Sequence, residues 1–390
     1  MLRRTRLDAL AVALALAANN GSGYLLTVLA ARLLAPALFG ELSSLLALLV
    51  VCVVPAMGLQ TVVALRVAAG GADRAGLVGL GVLVSALTVT VVLAAAPLLA
   101  ALLHLSDARA AVWLALALGP LTVIGLWHGL LQGSRRFDLL AGMVALEGLG
   151  KIGGTFGGLL LGRSSTAALA GTAAGSLVVA GIGWVLCGRP RPGRFAPGAM
   201  IEIGHTVQAM LALVLLVNLD LVLARHSLPA HQAGEYAIGA VITKIAYWLP
   251  QAVGVLLLPR LAQREGSRRA LALALTTCAT IDAVFVAGTV VFGPLLRALV
   301  GGARYTADPL VLWPFAVVGS LLAIVQILLY ARIADGDRRV AVLLWGAVGL
   351  EIGLVVVRLH GSVTELVSAA VIAVAALAVT AIALARRARR

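Results

Sequence analysis

Ala31-Arg32-Leu33-Leu34-Ala35-Pro36-Ala37-Leu38-Phe39-Gly40-Glu41 has a second copy in the chain, Ala224-Arg225, then Pro229, then Gly234-Glu235. Both copies sit where one apolar stretch ends and the next begins. The series continues, with Pro55 matching Pro250 and Arg66 matching Arg260. The offset is 193 for the first Arg and Pro, 194 for Gly-Glu and the later Arg, and 195 for the later Pro. A nearly constant offset of half a 390-residue chain reads as a duplication.

The repeat sits in a chain built for lipid. It is 62% hydrophobic and 12% charged, against about 25% charged in soluble domains. A spanning helix takes about 20 apolar residues. Twelve stretches qualify, at 9–34, 42–68, 76–104, 110–132, 139–162, 167–187, 200–224, 236–259, 270–300, 308–331, 340–358 and 363–385. The first begins like a signal peptide, with Arg3, Arg4 and Arg6, but its apolar character resumes at Tyr24 and it reads as an uncleaved span. The longest gap, Gly188 to Gly198, carries Pro190, Pro192 and Pro197. The expected fold is an all-α polytopic membrane protein with two six-helix bundles, residues 1–190 and 200–390, joined by a linker at 191–199. Six spans separate the copies, so both halves keep one orientation and their pseudo-twofold axis runs along the membrane normal.

Charge sets the orientation. With the N-terminus inside, 21 arginines fall in inside segments and 7 in outside ones, which places both termini in the cytoplasm. The two remaining cations are the only lysines, Lys151 and Lys244, both within spans. The net charge of +14 is spread in short clusters that suit lipid headgroups, and it does not point to nucleic acid.

Ionisable groups at membrane depth are costly and mark candidate function. Glu147 and Lys151 are spaced i, i+4 and share a face with Gly154 and Gly158, a spacing that suits either a cavity-facing cation or a neutralised pair on a packing seam. On the eighth span, Tyr236, Ala240, Lys244, Tyr247, Gln251 and Gly254 fall within one narrow arc. Such a stripe lines a hydrated cavity or packs against another helix, and Lys244 is its candidate anion ligand. Asn19 and Asn20 lie in the first span and Gln60 in the second. Asp220, with Asn218 on the seventh span, Asp282 on the ninth and Glu351 on the eleventh are candidates for ion coupling, since a desolvated carboxylate gains from a proton or cation.

No phosphate loop, zinc spacing or nucleophile elbow is present, so no catalytic residue, cofactor or metal site is expected. Cys52, Cys187 and Cys278 match no metal or redox spacing. His226 and His231 lie in an outside loop without further ligands.

The segment from Asn19 to Ala68, and the run from Asn218-Leu219-Asp220 through Gly234-Glu235-Tyr236 and Lys244 to Leu258-Pro259-Arg260, resemble bacterial polysaccharide flippases. These belong to the multidrug/oligosaccharidyl-lipid/polysaccharide exporter superfamily. The resemblance implies a V-shaped pair of bundles, alternating access and a lipid-linked oligosaccharide cargo. It also implies partners that make or use the glycan, such as glycosyltransferases or a polymerase. In this family a cationic cavity holds the carrier's pyrophosphate. Lys151 and Lys244 match that role, with Arg32, Arg66 and Arg225 nearer the mouths. A lipid-linked sugar has a head that hydrocarbon excludes and a tail that prefers it, so a cavity open sideways to lipid moves the head alone.

Three other readings compete. A cation-coupled multidrug or small-molecule antiporter of the same superfamily would want acids where the first span has amides. A major-facilitator transporter is suggested only by Asp73-Arg74-Ala75-Gly76. A membrane-embedded polysaccharide polymerase or ligase would need a larger outside loop than any here.

Overall fold

The computed structural model of the chain describes residues 23, 25–70, 73–195, 198–250, 267–305, 310–334 and 339–387. Every regular element among them is helical. In order these are α1 (25–33), α2 (Pro36–Cys52), α3 (Val54–Ala68), α4 (Arg74–Leu102), α5 (Arg109–Gly133), α6 (Phe137–Gly162) and α7 (Ser165–Leu186). There follow α8 (Gly198–Ser227), α9 (Ala230–Trp248), α10 (Ser267–Gly301), α11 (Trp313–Ala334), α12 (Arg339–Val357) and α13 (Val363–Arg387).

Nine segments among the described residues are long and apolar enough to cross a bilayer. Their outward faces carry bare hydrocarbon, with Leu161 91% exposed and Val357 80%. Lipid suits such a coat and water does not. The chain is a multi-pass membrane protein. Three expected spans are not among the nine. Most of 9–34 lies outside the described residues, as do residues 251–259 of 236–259, and the tenth is represented by a shorter apolar helix, Trp313–Leu328.

The expected span 42–68 differs in detail. It begins at Pro36 and is two helices, α2 and α3, interrupted at Val53. Pro55 is the cause: it has no N–H to give and restricts the residue before it. Two helices start on side-chain caps. Asp73 accepts from Ala75 N at 3.0 Å to start α4, and Ser164 accepts from Ala167 N at 3.2 Å to start α7.

The chain forms two compact units. Unit 1 comprises Met1–Leu34 with Glu41–Val214, and unit 2 comprises Ala35–Gly40 with Leu215–Arg390.

Two glycine seams organise unit 1. On α5, Gly125, Gly129 and Gly133 recur every four residues and face α3. A Cβ at these positions would stand 2.8, 2.7 and 2.6 Å from the carbonyl oxygens of Ala56, Gln60 and Ala64. On α6, Gly150, Gly154 and Gly158 meet Gly175, Gly171 and Ala167 of α7 backbone to backbone. Small residues let helices approach in lipid, where association depends on close packing. Thr155 and Thr172 share a hydrogen bond of 2.6 Å across the second seam, and Trp127 Nε1 donates to the Ala180 carbonyl at 3.0 Å. Together these contacts fix α5 against α7 and α7 against α6.

The linker is held down in unit 1. Gly193 N donates to the Ala75 carbonyl at 2.7 Å, and Arg66 of α3 grips the Glu202 carboxylate with two hydrogen bonds of 3.0 and 3.1 Å. At the far end of α4, Glu41 accepts from Ser106 N at 2.9 Å and from Ser106 Oγ at 3.1 Å. Asp107 accepts from Arg109 N and Nε and from Thr166 Oγ1. The Arg109 hydrogen bonds hold the Asp107 carboxyl down at about 2, below its ordinary 3.8. A depressed carboxyl stabilises the fold above its unfolded value and loses that contribution as pH falls through the folded one. Asp107→Asn should therefore lower thermal stability near neutral pH. The gap between variant and wild type should close as pH falls from about 4 to about 2. A thermal-shift series in detergent would read it, and a gap that stayed constant would refute the assignment.

In unit 2, α9 packs on α11. Gly239 faces the Phe315 ring, Gly319 lies against the Thr243 backbone, and Thr243 Oγ1 donates to the Phe315 carbonyl at 3.0 Å. The six residues Ala35–Gly40 complete this unit. A Cβ on Gly40 would lie 2.7 Å from Gly234 N, and one on Gly234 would lie 2.6 Å from the Pro36 carbonyl carbon. The two copies of the repeated motif thus pack on each other at their own glycines.

Candidate functional site

Each unit carries its own buried polar cluster. In unit 1 the cluster joins α5 and α6. Lys151 Nζ stands 3.0 Å from Glu147 Oε1, with the Lys151 side chain 34% exposed and Glu147 at 17%. The pairing expected from the i, i+4 spacing and the glycine seam are both present on α6. The other carboxylate oxygen, Glu147 Oε2, is 3.9 Å from His128 Nδ1. His128 is 5% exposed, and its Nε2 is buried without a hydrogen-bond partner. The sequence reading passed over His128, although it is the one titratable side chain between Ala110 and Gly133.

Gln60 belongs to the same unit. Its Nε2 donates to Gln132 Oε1 at 3.1 Å, so a hydrogen bond between side-chain amides links α3 to α5 one step beyond the glycine contact at Gly129. Asn20 lies outside the described residues. Arg66, expected near a mouth, is held by Glu202, whose carboxyl it keeps below the ordinary range.

In unit 2, Asp220 of α8 is buried and accepts from Tyr236 Oη at 3.1 Å and from Leu221 N at 2.8 Å. Lys244 of α9 and Glu351 of α12 both lie within its electrostatic reach. Glu351 is 1% exposed, and neither carboxyl oxygen has a hydrogen-bond partner. The Tyr236–Asp220 hydrogen bond joins α8 to α9, and the charges of Lys244 and Glu351 act on Asp220 from α9 and α12. Asp282 is apart from it. It is buried on α10, accepting from Cys278 Sγ at 3.3 Å beside Ser320 of α11.

The stripe on α9 differs from a cavity lining. Tyr236 is fully buried with its ring edge-on to Phe315 at 5.0 Å, and Ala240 and Tyr247 are also buried. The reason is packing: glycines at 239 and 319 draw α11 onto this face. Lys244 is half-buried, and Gln251 lies outside the described residues. Among the described residues no group of three or more His, Cys, Asp or Glu is placed to hold a metal ion.

Known structures share this fold. A lipid II flippase MurJ in an inward closed conformation matches with a TM-score of 0.75 at 14% identity, covering 96% of this chain and 87% of that one. A transporter of the MOP superfamily, the exporter superfamily named above, from Pyrococcus furiosus matches at 0.61 and 13% identity, over 97% and 95% of the two chains. The eukaryotic MATE transporter AtDTX14 matches at 0.63 and 14% identity, over 98% and 96%. No protein-family model and no curated sequence matches the chain. The fold is that of the MOP superfamily transporters.

Proposed function

We propose that the chain moves a lipid-linked oligosaccharide, or a polysaccharide precursor, across the bacterial cytoplasmic membrane by alternating access, with both termini cytoplasmic. The observation that carries this reading is the Lys151–Glu147 pair. An ammonium a third exposed, tethered to a carboxylate inside an apolar unit, is costly and serves no apolar cargo. A phosphate-bearing lipid headgroup matches it, because an ammonium is a compact charge with three donors. The fold shared with a lipid II flippase supports the same class of cargo. Lipids would surround the transporter, and the enzymes that build or polymerise the glycan would be its partners. The chemistry asked of the protein is binding and release, with no bond made or broken.

A second reading has its own observation. Asp220 and Glu351 are two buried acids within reach of each other, as a cation-coupled antiporter of small molecules requires. The MATE fold among the structural neighbours supports it equally.

The two readings separate in proteoliposomes. A flippase exposes a fluorescent lipid-linked saccharide in the opposite leaflet to a membrane-impermeant quencher. An antiporter discharges an imposed proton or sodium gradient when given a cationic dye. In cells, Lys244→Ala should abolish surface glycan while the amount of protein in the membrane is unchanged. Normal glycan in that variant would remove Lys244 from the site.

A further inference from the structure

Unit 1 holds the Glu147 carboxylate between an ammonium on one oxygen and an imidazole facing the other. Glu147 Oε1 is bound by Lys151 at 3.0 Å, while Oε2 faces His128 Nδ1 at 3.9 Å, too far for a hydrogen bond. Nδ1 is the ring nitrogen that faces the carboxylate, and Nε2 is buried without a hydrogen-bond partner. The elements packed on α5 are α3, α4, α6 and α7, and the charges acting on the ring are Glu147 and Lys151, both from α6.

With the ring neutral, Glu147 and Lys151 sum to zero. A proton from water landing on Nδ1, the nitrogen that faces Glu147, makes the triad +1. Imidazole is the side chain whose proton occupancy changes near neutral pH.

We infer that Glu147 changes partners: while His128 is neutral the carboxylate is held by Lys151, and when the ring takes up a proton the carboxylate closes on His128 and frees the Lys151 ammonium to bind a phosphate of the cargo. One proton is bound for each anionic group captured, and it returns to water when the cargo leaves. The closure is short, about 1 Å from 3.9 Å to a charge-assisted bond of about 2.8 Å. The tight α6–α7 seam keeps the α6 backbone still, so the side chain makes the move. This device rests on the reading of the cargo as a lipid-linked phosphate.

The test uses the full chain in lipid nanodiscs and the symmetrical dimethyl diester of pyrophosphate, which does not itself titrate near neutral pH. Binding is measured by calorimetry from about pH 5.5 to about pH 8 in buffers of different ionisation enthalpy, because an imidazole titrates in that window. Wild type should take up close to one proton per diester bound and weaken as pH rises. His128→Gln should bind with no proton uptake and a flat pH profile. Glu147→Gln should bind about tenfold more tightly than wild type at the alkaline end, because Lys151 is then permanently free. Lys151→Ala should lose binding and Lys151→Arg should keep it, which separates charge from folding.

Proton uptake that persists in His128→Gln, weaker binding in Glu147→Gln, or no diester binding by wild type would each overturn the exchange. Vesicle assays keep the two claims apart. Proton-coupled binding without movement of a lipid-linked saccharide removes the cargo and leaves the triad. Saccharide movement unchanged in His128→Gln and Glu147→Gln removes the triad and leaves the cargo.

Discussion

Gly154→Val should leave almost no folded protein in the membrane. A Cβ on Gly154 would sit 2.8 Å from the Gly171 carbonyl carbon and 3.4 Å from the Gly175 Cα. Both neighbours are backbone, so no rotamer change can make room, and the isopropyl group would have to push α6 off α7. Overpacking costs about 1–3 kcal/mol in an ordinary core and more where backbones touch. The cost is sharper in lipid, where the helices gain little from the solvent and hold together by close contact. The control lies one residue away. A Cβ on Gly153 meets nothing within 4 Å, so Gly153→Val should accumulate as wild type does. Size-exclusion profiles of detergent extracts would compare the two. Equal recovery of Gly154→Val would mean that the seam contributes nothing to the fold.

Glu351→Met should stabilise the protein and stop its transport cycle. Methionine matches the volume and removes a carboxyl that is buried with both oxygens unpartnered and Asp220 within reach. An unsatisfied buried polar group costs about 1–3 kcal/mol. Removing it should raise the thermal midpoint by roughly 2 °C or less per kcal/mol, because the shift shrinks as the chain lengthens. If the Asp220–Glu351 pair couples an ion, the more stable protein will neither discharge a gradient nor move cargo. A lower midpoint would mean that the carboxyl has a stabilising partner in the working protein. Unchanged transport would take Glu351 out of the coupling scheme.

The fold was legible in this sequence because its signals are local. Runs of apolar residues between arginine clusters mark the spans, and Pro55 sits at the interruption between α2 and α3. The Glu147–Lys151 pair was also legible, since both residues lie on one helix at i, i+4. What escaped depends on contacts between helices. His128 reaches Glu147 from α5, and no spacing on either helix announces it. Asp220 and Glu351 are 131 residues apart in sequence, and only the folded chain brings their charges to bear on each other. Helical geometry groups the α9 stripe but leaves open whether it lines a cavity or packs on a helix. Which neighbour covers that face depends on glycines at 239 and 319, one of them on another helix.

The six residues from Ala35 to Gly40 belong to the unit otherwise built from Leu215 onward. They leave the ribosome 175 residues earlier (215 − 40). At about 5–20 residues per second, this short segment waits roughly 9–35 s for its partners. For that time the surface that will receive Gly234 stays uncovered. A cut within the proline-rich connection would make the wait permanent, so neither fragment made alone would carry its whole complement of packing groups.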